Sequence, residues 1–306
     1  MRTLDTTLMS PLELQNYLQY AIGPRPIALV STIDMEGNVN LSPFSFFNLF
    51  SVNPPVCAFS PSRRVRDNST KHTLENIKQV PECVINIVTC GMVMQTSLTS
   101  SDYAKGVNEF DKAGFTQLKS ELVRPPGVAE SPVQLECAVI GFIPLGDGPG
   151  AGNLVLAEIK RMHISEDILD SDGRIDQQKL DLVARLGGDW YAAIGPENLF
   201  KIPKPITTIG MGVDSLPEYV RASTVLTGND LGQLANVTEV PDEKAVTAFV
   251  IAETAVLRML HNMNSHAGQL YVHQQAKAHL AKGQVTVAWL MLLAGEQYEK
   301  QQLNTH

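Results

Sequence analysis

The sequence predicts a mainly β fold with flanking helices, followed by a mostly helical C-terminal extension. Short runs of β-forming residues alternate with turn residues up to about residue 164, and the strand pattern fades after Pro205. Neighbouring runs are joined by tight turns such as Met35–Asn38, which indicates antiparallel pairing. These observations favour an antiparallel barrel or sandwich over a doubly wound parallel sheet.

The first helix is predicted from its N-terminal signals. Ser10 and Glu13 have the spacing of a capping box, and Pro11 suits the first helical position. The break at 23–26 ends this helix because it contains two prolines and a glycine. A second helix is expected to begin at His72 or Thr73 and to end before residue 81.

The strands are predicted from composition and alternation. Residues 133–139 alternate apolar and polar side chains, as in a half-buried strand, and 146–152 form a Gly/Pro turn before a partner strand. The predicted strands cover 27–33, 39–50, 56–59, 83–88, 133–139 and 153–164. Beyond residue 205, helical segments are predicted at 245–260 and 270–282, and the apolar run 285–294 reads as a buried helix or strand.

Composition excludes several classes of protein. The 306 residues include 24 Lys plus Arg and 32 Asp plus Glu, a net charge of −8, with 44% hydrophobic residues. This balance argues against disorder and against general nucleic-acid binding. The apolar run 285–294 is about half as long as a membrane span, and the N-terminus has no apolar core of a signal peptide. We therefore expect a cytoplasmic protein without a membrane segment.

The cysteines and histidines do not form a recognisable metal motif. No CxxC pair occurs, so reduced thiols are expected rather than disulfides or a zinc site at Cys57, Cys83, Cys90 and Cys137. The histidines of the C-terminal region lack acidic partners at ligand spacing, so exposed helix histidines are expected at His261, His266, His273 and His279.

Standard catalytic motifs are also missing. The sequence contains neither the GxSxG of a nucleophile elbow nor a P-loop. Four glycines within 146–152 lie between two strands, whereas a dinucleotide fingerprint needs a helix to follow. A hairpin loop is therefore the better interpretation of that segment.

One segment is strongly basic in this acidic chain. Residues 63–71 contain four cations, with hydroxyl side chains nearby, and they lead into the predicted N-terminus of the second helix. Cations, hydroxyls and a helix N-terminus together favour a phosphate group. The alternatives at this point are a solvated loop with a helix cap and a pocket for one phosphate monoester.

The segment 40–48 is the second unusual feature. It contains three phenylalanines, and Pro43 lies inside a predicted strand. A proline there implies an edge, a bulge or a bend towards a ligand. The segment is either ordinary aromatic core with a bulge or a surface for a planar heterocycle.

Four segments in order resemble the flavin reductase-like, FMN-binding split-barrel family, which includes flavoredoxins and reductase components of two-component monooxygenases. They are Arg25–Thr32, Gly37–Phe47, Lys71–Ile77 and Arg185–Tyr191. The resemblance covers about residues 10–205. It implies an antiparallel Greek-key split barrel over residues 1–205, with 206–306 as the helical extension.

The resemblance also implies FMN as cofactor and a set of contacts. It places Ser42, Pro43, Phe44 and Ser45 against the flavin ring, with Asn48 closing that edge. It places the phosphate near Ser60, Ser62, Arg63, Lys71, Thr73 and Asn76, and brings Gly187, Gly188 and Tyr191 to the flavin, from a partner subunit in one arrangement. His72 departs from the family, which has an acidic residue at this position.

The implied function is an FMN-dependent oxidoreductase of the NAD(P)H:flavin reductase type. Hydride from NADH or NADPH would pass to flavin N5 and on to a second acceptor, so no catalytic side chain is expected. A homodimer is implied, with a redox partner protein as one possible acceptor. The alternatives are a flavoredoxin-like electron carrier without its own NAD(P)H turnover and a small-ligand-binding barrel without flavin.

Overall fold

The computed structural model describes residues 1–205, 209–252 and 265–303. The chain forms two compact units, Met1–Phe200 and Lys201–His306. A domain boundary at residue 205 stays a prediction, because compactness alone does not show which part folds independently.

The first unit contains all the strands found in the described residues. They are β1 (Ala28–Ile33), β2 (Val39–Phe44), β3 (Phe47–Val52), β4 (Pro55–Phe59), β5 (Glu82–Ile87), β6 (Gln117–Leu118), β7 (Gly127–Val128), β8 (Val133–Pro144), β9 (Asn153–Ile164), β10 (Leu182–Arg185) and β11 (Tyr191–Ile194). Its α-helices are α1 (Pro11–Ala21), α2 (His72–Gln79), α3 (Val93–Leu98) and α4 (Glu109–Ala113).

Seven strands form one antiparallel sheet in the order β2-β1-β5-β8-β9-β4-β3. The edge strands β2 and β3 are not paired, yet only Ser45 and Phe46 separate them along the chain. The rings of Phe44 and Phe59, from opposite sides of the sheet order, lie 5.3 Å apart at their centroids. The sheet therefore curls, so that its two edges approach each other. The antiparallel pairing of all seven strands confirms the antiparallel prediction.

One predicted strand was wrong in extent. The sequence predicts a single strand over residues 39–50, but the chain turns at Ser45 and Phe46. β2 pairs with β1 only as far as Phe44, which lies opposite Ala28 at the start of β1. Beyond that point β1 has no residues left to pair, and the chain pairs with β4 instead.

The helical signals of the first unit are confirmed. The Ser10 side chain accepts the Glu13 N–H, and Glu13 accepts the Ser10 N–H, which completes the capping box of α1. α2 begins at His72 and buries Leu74 and Ile77 in the core of the barrel. Because the helix is held by this burial, the position of its N-cap residue, Lys71, is held as well.

The second unit is helical where it is described. Its α-helices are α5 (Glu218–Arg221), α6 (Gly228–Ala235), α7 (Glu243–Ala252), α8 (Ser265–Leu280) and α9 (Val285–Leu303). They pack around Trp289, whose Nε1–H donates to the Leu234 carbonyl at 3.0 Å. The predicted segment 270–282 is confirmed as most of α8, and 285–294 belongs to α9. The second half of the predicted stripe, 253–260, lies outside the described residues.

No helix in the described part of the chain has both the length and the hydropathy required to cross a membrane. The expectation of exposed histidines is wrong for His273, which is 3% exposed. Its Nδ1 lies 2.7 Å from Ser223 Oγ, and burial lowers its pKa. His266 is exposed and His279 half-buried, whereas His261 lies outside the described residues. Among the described side chains, no three His, Cys, Asp or Glu are grouped to hold a metal.

The four cysteines are free thiols. Cys57, Cys83 and Cys137 are buried, and Cys90 is half-buried. Burial raises the pKa of Cys57 to about 11. The buried thiols pack as small apolar side chains.

Candidate functional site

A cavity of about 1000 Å³ opens in the first unit. Its apolar lining includes Leu14 and Leu18 of α1, Ile22 just after that helix, and residues 43–46, from the end of β2 and its connection to β3. The lining also contains five cations, which are Arg25, Arg63, Arg64, Arg66 and Lys71. The cavity therefore combines apolar side chains with a strongly cationic set of side chains.

The loop around Arg63 is held by hydrogen bonds. Arg63 donates through Nε to Asn68 Oδ1 at 2.7 Å and through Nη2 to the Asn68 carbonyl at 2.6 Å. Asn68 adopts a left-handed backbone with φ of 57°, and its Nδ2 donates to the Asp147 carbonyl at 2.9 Å. The basic segment is thus fixed in shape before any ligand binds.

Lys71 is a cation without a hydrogen-bond or ion-pair partner on the cavity wall, among the described residues. No hydrogen bond or ion pair joins its Nζ to any described residue, and its side chain is half-buried. Burial, followed by repulsion from Arg64, lowers the pKa of Lys71. Attraction from Asp102 opposes this shift in part, and an anion placed beside Lys71 would offset more of it.

Ser60 supplies a second unused polar group. Its Oγ is buried, has no hydrogen-bond partner among the described residues, and belongs to a residue of the cavity wall. Buried hydroxyls normally have partners, so an orphan in a cavity wall indicates a missing ligand or water. Ser62 and Arg63 follow it along the same wall.

The loop of residues 145–152 joins β8 to β9, as the hairpin interpretation predicts. Sequence reasoning missed that residues 148–151 also form part of the cavity wall. Arg63 N–H donates to the Ala151 carbonyl at 2.8 Å, and Gly150 N–H returns a bond to the Arg63 carbonyl at 3.2 Å. The signal was present in the sequence, because four closely spaced glycines permit such a close backbone approach.

The predicted ring contacts are partly brought together. Pro43, Phe44 and Ser45 lie on the cavity wall. Ser42 is half-buried in β2 opposite Val30 and does not line the cavity. Asn48 is exposed in β3, where its Oδ1 accepts the N–H of the next residue at 2.8 Å.

Thr73 and Asn76 are interior residues rather than wall residues. Thr73 Oγ1 donates to Asn40 Oδ1 at 2.8 Å, and Asn76 Nδ2 donates to Thr32 Oγ1 at 3.2 Å. Asn40 in turn donates to the buried carboxylate of Glu109 at 2.9 Å. These two residues hold α2 in place, and a direct contact with a phosphate stays a prediction.

His72 lies in the electrostatic field of Glu109. Burial raises the pKa of Glu109, and His72 is among the groups that oppose this shift. An acidic residue at position 72 would place a second negative charge beside that buried carboxylate. Histidine at position 72 avoids that repulsion.

The predicted C-terminal contacts do not line the cavity within this chain. The ring of Tyr20 covers Gly187 and Gly188, so closely that a Cβ at either glycine would lie within 2.4 Å of it. Tyr191 packs under Arg185, with the guanidinium carbon 4.5 Å from the ring centroid. Their approach to a flavin from a partner subunit stays a prediction.

Arg25 is a wall residue that sequence reasoning did not place in the site. It is 7% exposed, and its guanidinium donates to the carbonyls of Gln19, Ile22 and, at 2.8 Å, Leu186. Arg25 therefore joins the C-terminal end of α1 to the segment after β10. The Arg-Pro pair just before β1 was the available signal.

Comparison with known proteins decides the family. A family model described as a flavin reductase like domain matches residues 21–179, more than half of the chain. The chain belongs to the flavin reductase-like family.

The relatives of this flavin reductase-like protein match about two thirds of its length. Component B of nitrilotriacetate monooxygenase from Bacillus cereus is 30% identical, with a TM-score of 0.62 over 66% of this chain and 98% of that one. A Shewanella frigidimarina protein described as a flavin reductase with a split barrel domain is 27% identical, with a TM-score of 0.55 over 65% of this chain and 95% of that one.

A protein of Halalkalibacterium halodurans is 33% identical over 204 residues, which are 66% of this chain and 96% of the relative. The predicted split-barrel fold is confirmed by the Shewanella structure together with the seven-stranded antiparallel sheet of this flavin reductase-like chain.

Proposed function

We propose that this chain is an FMN-dependent oxidoreductase that accepts hydride from NADH or NADPH and passes electrons to a second acceptor. The observation that supports this most strongly is the cavity, whose lining combines unpartnered donors with residues 43–46 and the apolar side chains of α1. Membership of the flavin reductase-like family supports the same reaction class.

The cationic part of the lining fits a phosphate monoester. Such a group carries close to two negative charges at neutral pH and accepts several strong hydrogen bonds. Ser60 Oγ and Lys71 Nζ have no partners among the described residues, and Arg63 directs only Nε and Nη2 to Asn68. We assign these three residues, with Ser62, to the phosphate of FMN.

The apolar part of the lining fits a planar ring. Pro43 and Phe44 line the cavity beside Ser45, and Leu14, Leu18 and Ile22 also line it. Burial of a flat aromatic group between apolar walls is favourable because both surfaces leave water. We assign Pro43, Phe44 and Ser45 to the isoalloxazine.

Bound FMN would supply a ring that accepts hydride and releases electrons, which no side chain can do. This chain's residues would bind, orient and shield that ring. Arg63 and Lys71 would anchor the phosphate, and α1 would restrict the access of water to the ring through its apolar side chains. The mechanism requires no paired catalytic acid and base.

The assembly and location are part of the proposal. β3 is an edge strand whose Leu49, Phe50 and Val52 are exposed by 53%, 69% and 79%. An exposed apolar edge favours pairing with another chain, and we propose a homodimer. We propose a cytoplasmic location because free buried thiols suit a reducing compartment.

An anaerobic visible spectrum of the purified protein with added FMN tests the reaction. After removal of unbound FMN, we expect flavin absorbance to remain and to bleach when NADH or NADPH is added. A protein that retains no FMN would overturn the proposal. Retention of FMN without bleaching by either nucleotide, but with bleaching by dithionite, would instead identify an electron carrier.

A further inference from the structure

A carboxylate lies inside the basic wall of the cavity. Asp102, from the segment between α3 and α4, lines the cavity with Arg64 and Arg66. Its Oδ1 lies 2.8 Å from Arg64 Nη2, and its Oδ2 contacts Arg66 Nη2. We call these three residues the Asp102 clamp.

The clamp divides the cationic wall into open and closed donors. Ser60 Oγ and Lys71 Nζ have no partner among the described residues. Arg64 and Arg66 instead point to Asp102, and Arg64 also donates to the Thr70 carbonyl at 2.7 Å. One phosphate ester would fill the open donors and leave the clamp closed.

A flavin dinucleotide has a second phosphate group, which this wall would also have to accommodate. Its pyrophosphate presents two negatively charged groups in succession, and the remaining adenosine must leave the cavity. The Arg64 side chain is 16% exposed and that of Arg66 is 68% exposed, so the clamp extends from the cavity towards solvent. A second phosphate on this route meets the Asp102 carboxylate, and juxtaposed like charges oppose binding.

We infer that Asp102 makes the cavity selective for a flavin monophosphate over a flavin dinucleotide, by occupying the two arginines that a second phosphate would use. This inference rests on the proposed function, since it concerns the phosphate end of the same site. It assigns a specificity role to a residue that is not itself an anion-binding group.

The test compares dissociation constants for FMN and FAD, measured by flavin fluorescence in the full-length protein. Asp102→Asn keeps the shape of the side chain, removes its charge and frees both guanidinium groups. We expect the affinity for FAD relative to FMN to rise about tenfold. Adding Arg66→Gln to this variant should abolish the gain, because one of the freed arginines is then missing.

Asp67→Asn is the matched control. Asp67 also contacts Arg66, at 3.1 Å, but does not line the cavity, so the FAD-to-FMN ratio should stay at the wild-type value. Competition against bound FMN gives a second readout. Inorganic pyrophosphate should displace FMN more effectively from the Asp102→Asn variant than from wild type. The corresponding increase for inorganic phosphate should be smaller.

Two results would overturn the inference while leaving the proposed function intact. One is a ratio of FAD affinity to FMN affinity in Asp102→Asn that equals the wild-type ratio. The other is an equal increase in affinity for both flavins, which would show a general effect of charge. A wild-type protein that binds neither flavin would refute the proposed function, and this inference with it.

Discussion

Gly152 and Ser60 approach each other so closely that a Cβ at position 152 would lie 2.6 Å from Ser60 Oγ. The hairpin loop thus meets the residue that follows β4, whose buried hydroxyl on the cavity wall has no partner in the described structure. The absence of a side chain at Gly152 is what leaves the Ser60 hydroxyl in its present position.

Gly152→Ala should therefore weaken FMN binding. The new methyl group would force the Ser60 hydroxyl to rotate or the loop to shift, and either change costs about 1 kcal/mol or more. A fluorescence titration with FMN measures the effect. Gly141→Ala is the control, since a Cβ there meets no atom within 4 Å, and equal affinities in both variants would contradict this role of Gly152.

Lys71→Ala and Arg63→Ala should each weaken FMN binding by about 1–3 kcal/mol, because each removes a charged hydrogen bond to phosphate. Isothermal titration with FMN measures the loss. Lys78→Ala is the control. It also removes one positive charge, but Lys78 lies over the Phe142 ring and not on the cavity wall, so its affinity for FMN should stay near the wild-type value. Unchanged affinity for FMN in both Lys71→Ala and Arg63→Ala would show that the phosphate binds elsewhere.

Glu109→Gln should change how stability depends on pH. Burial raises the pKa of Glu109, so its contribution to the free energy of unfolding is full below the ordinary value of 4.5. That contribution is lost as pH rises through the higher folded-state pKa. The variant cannot titrate at this position. The wild-type advantage in urea unfolding should therefore be larger below pH 4.5 than at neutral pH.

The same variant loses one acceptor for either Asn40 Nδ2 or the Leu41 N–H, both 2.9 Å from Glu109 in the wild type. At neutral pH this loss should cost about 1–3 kcal/mol. A wild-type advantage that stays constant or grows with pH would contradict the raised pKa.

Arg25→Met should lower the free energy of unfolding by about 2–3 kcal/mol, because three carbonyl groups lose a charged donor. Urea unfolding followed by circular dichroism measures the change. Arg185→Met is the comparison, since it removes one exposed hydrogen bond to the Trp190 carbonyl and a cation–π contact with Tyr191 of about 0.5–1 kcal/mol. A loss for Arg25→Met no greater than that for Arg185→Met would show that Arg25 does not hold α1.

Local signals predicted most of the barrel. The capping box of α1, the alternation in β8 and the turns between strands each act over a few residues, so the sequence displays them directly. The division between β2 and β3 was not predictable in this way. It depends on where β1 ends as a pairing partner, and the apolar run over 39–50 contains no sign of that limit.

The candidate site likewise contains some residues that the sequence predicts and others that it does not. Ser60, Ser62, Arg63 and Lys71 belong to one short segment, and its unusual charge located them in advance. Arg25 and Asp102 were missed because their partners are distant in sequence. Arg25 bonds Leu186, 161 positions away, and Asp102 contacts Arg66, 36 positions away. Only the folded chain brings such groups together.

Comparison of FMN with riboflavin tests the central claim most directly, since the two ligands differ only in the phosphate. If the open donors at Ser60, Arg63 and Lys71 hold that group, wild-type protein should bind FMN at least about 100-fold more tightly, as expected for two or more charged hydrogen bonds. Equal dissociation constants for FMN and riboflavin, measured by fluorescence quenching, would contradict a phosphate site in the basic wall.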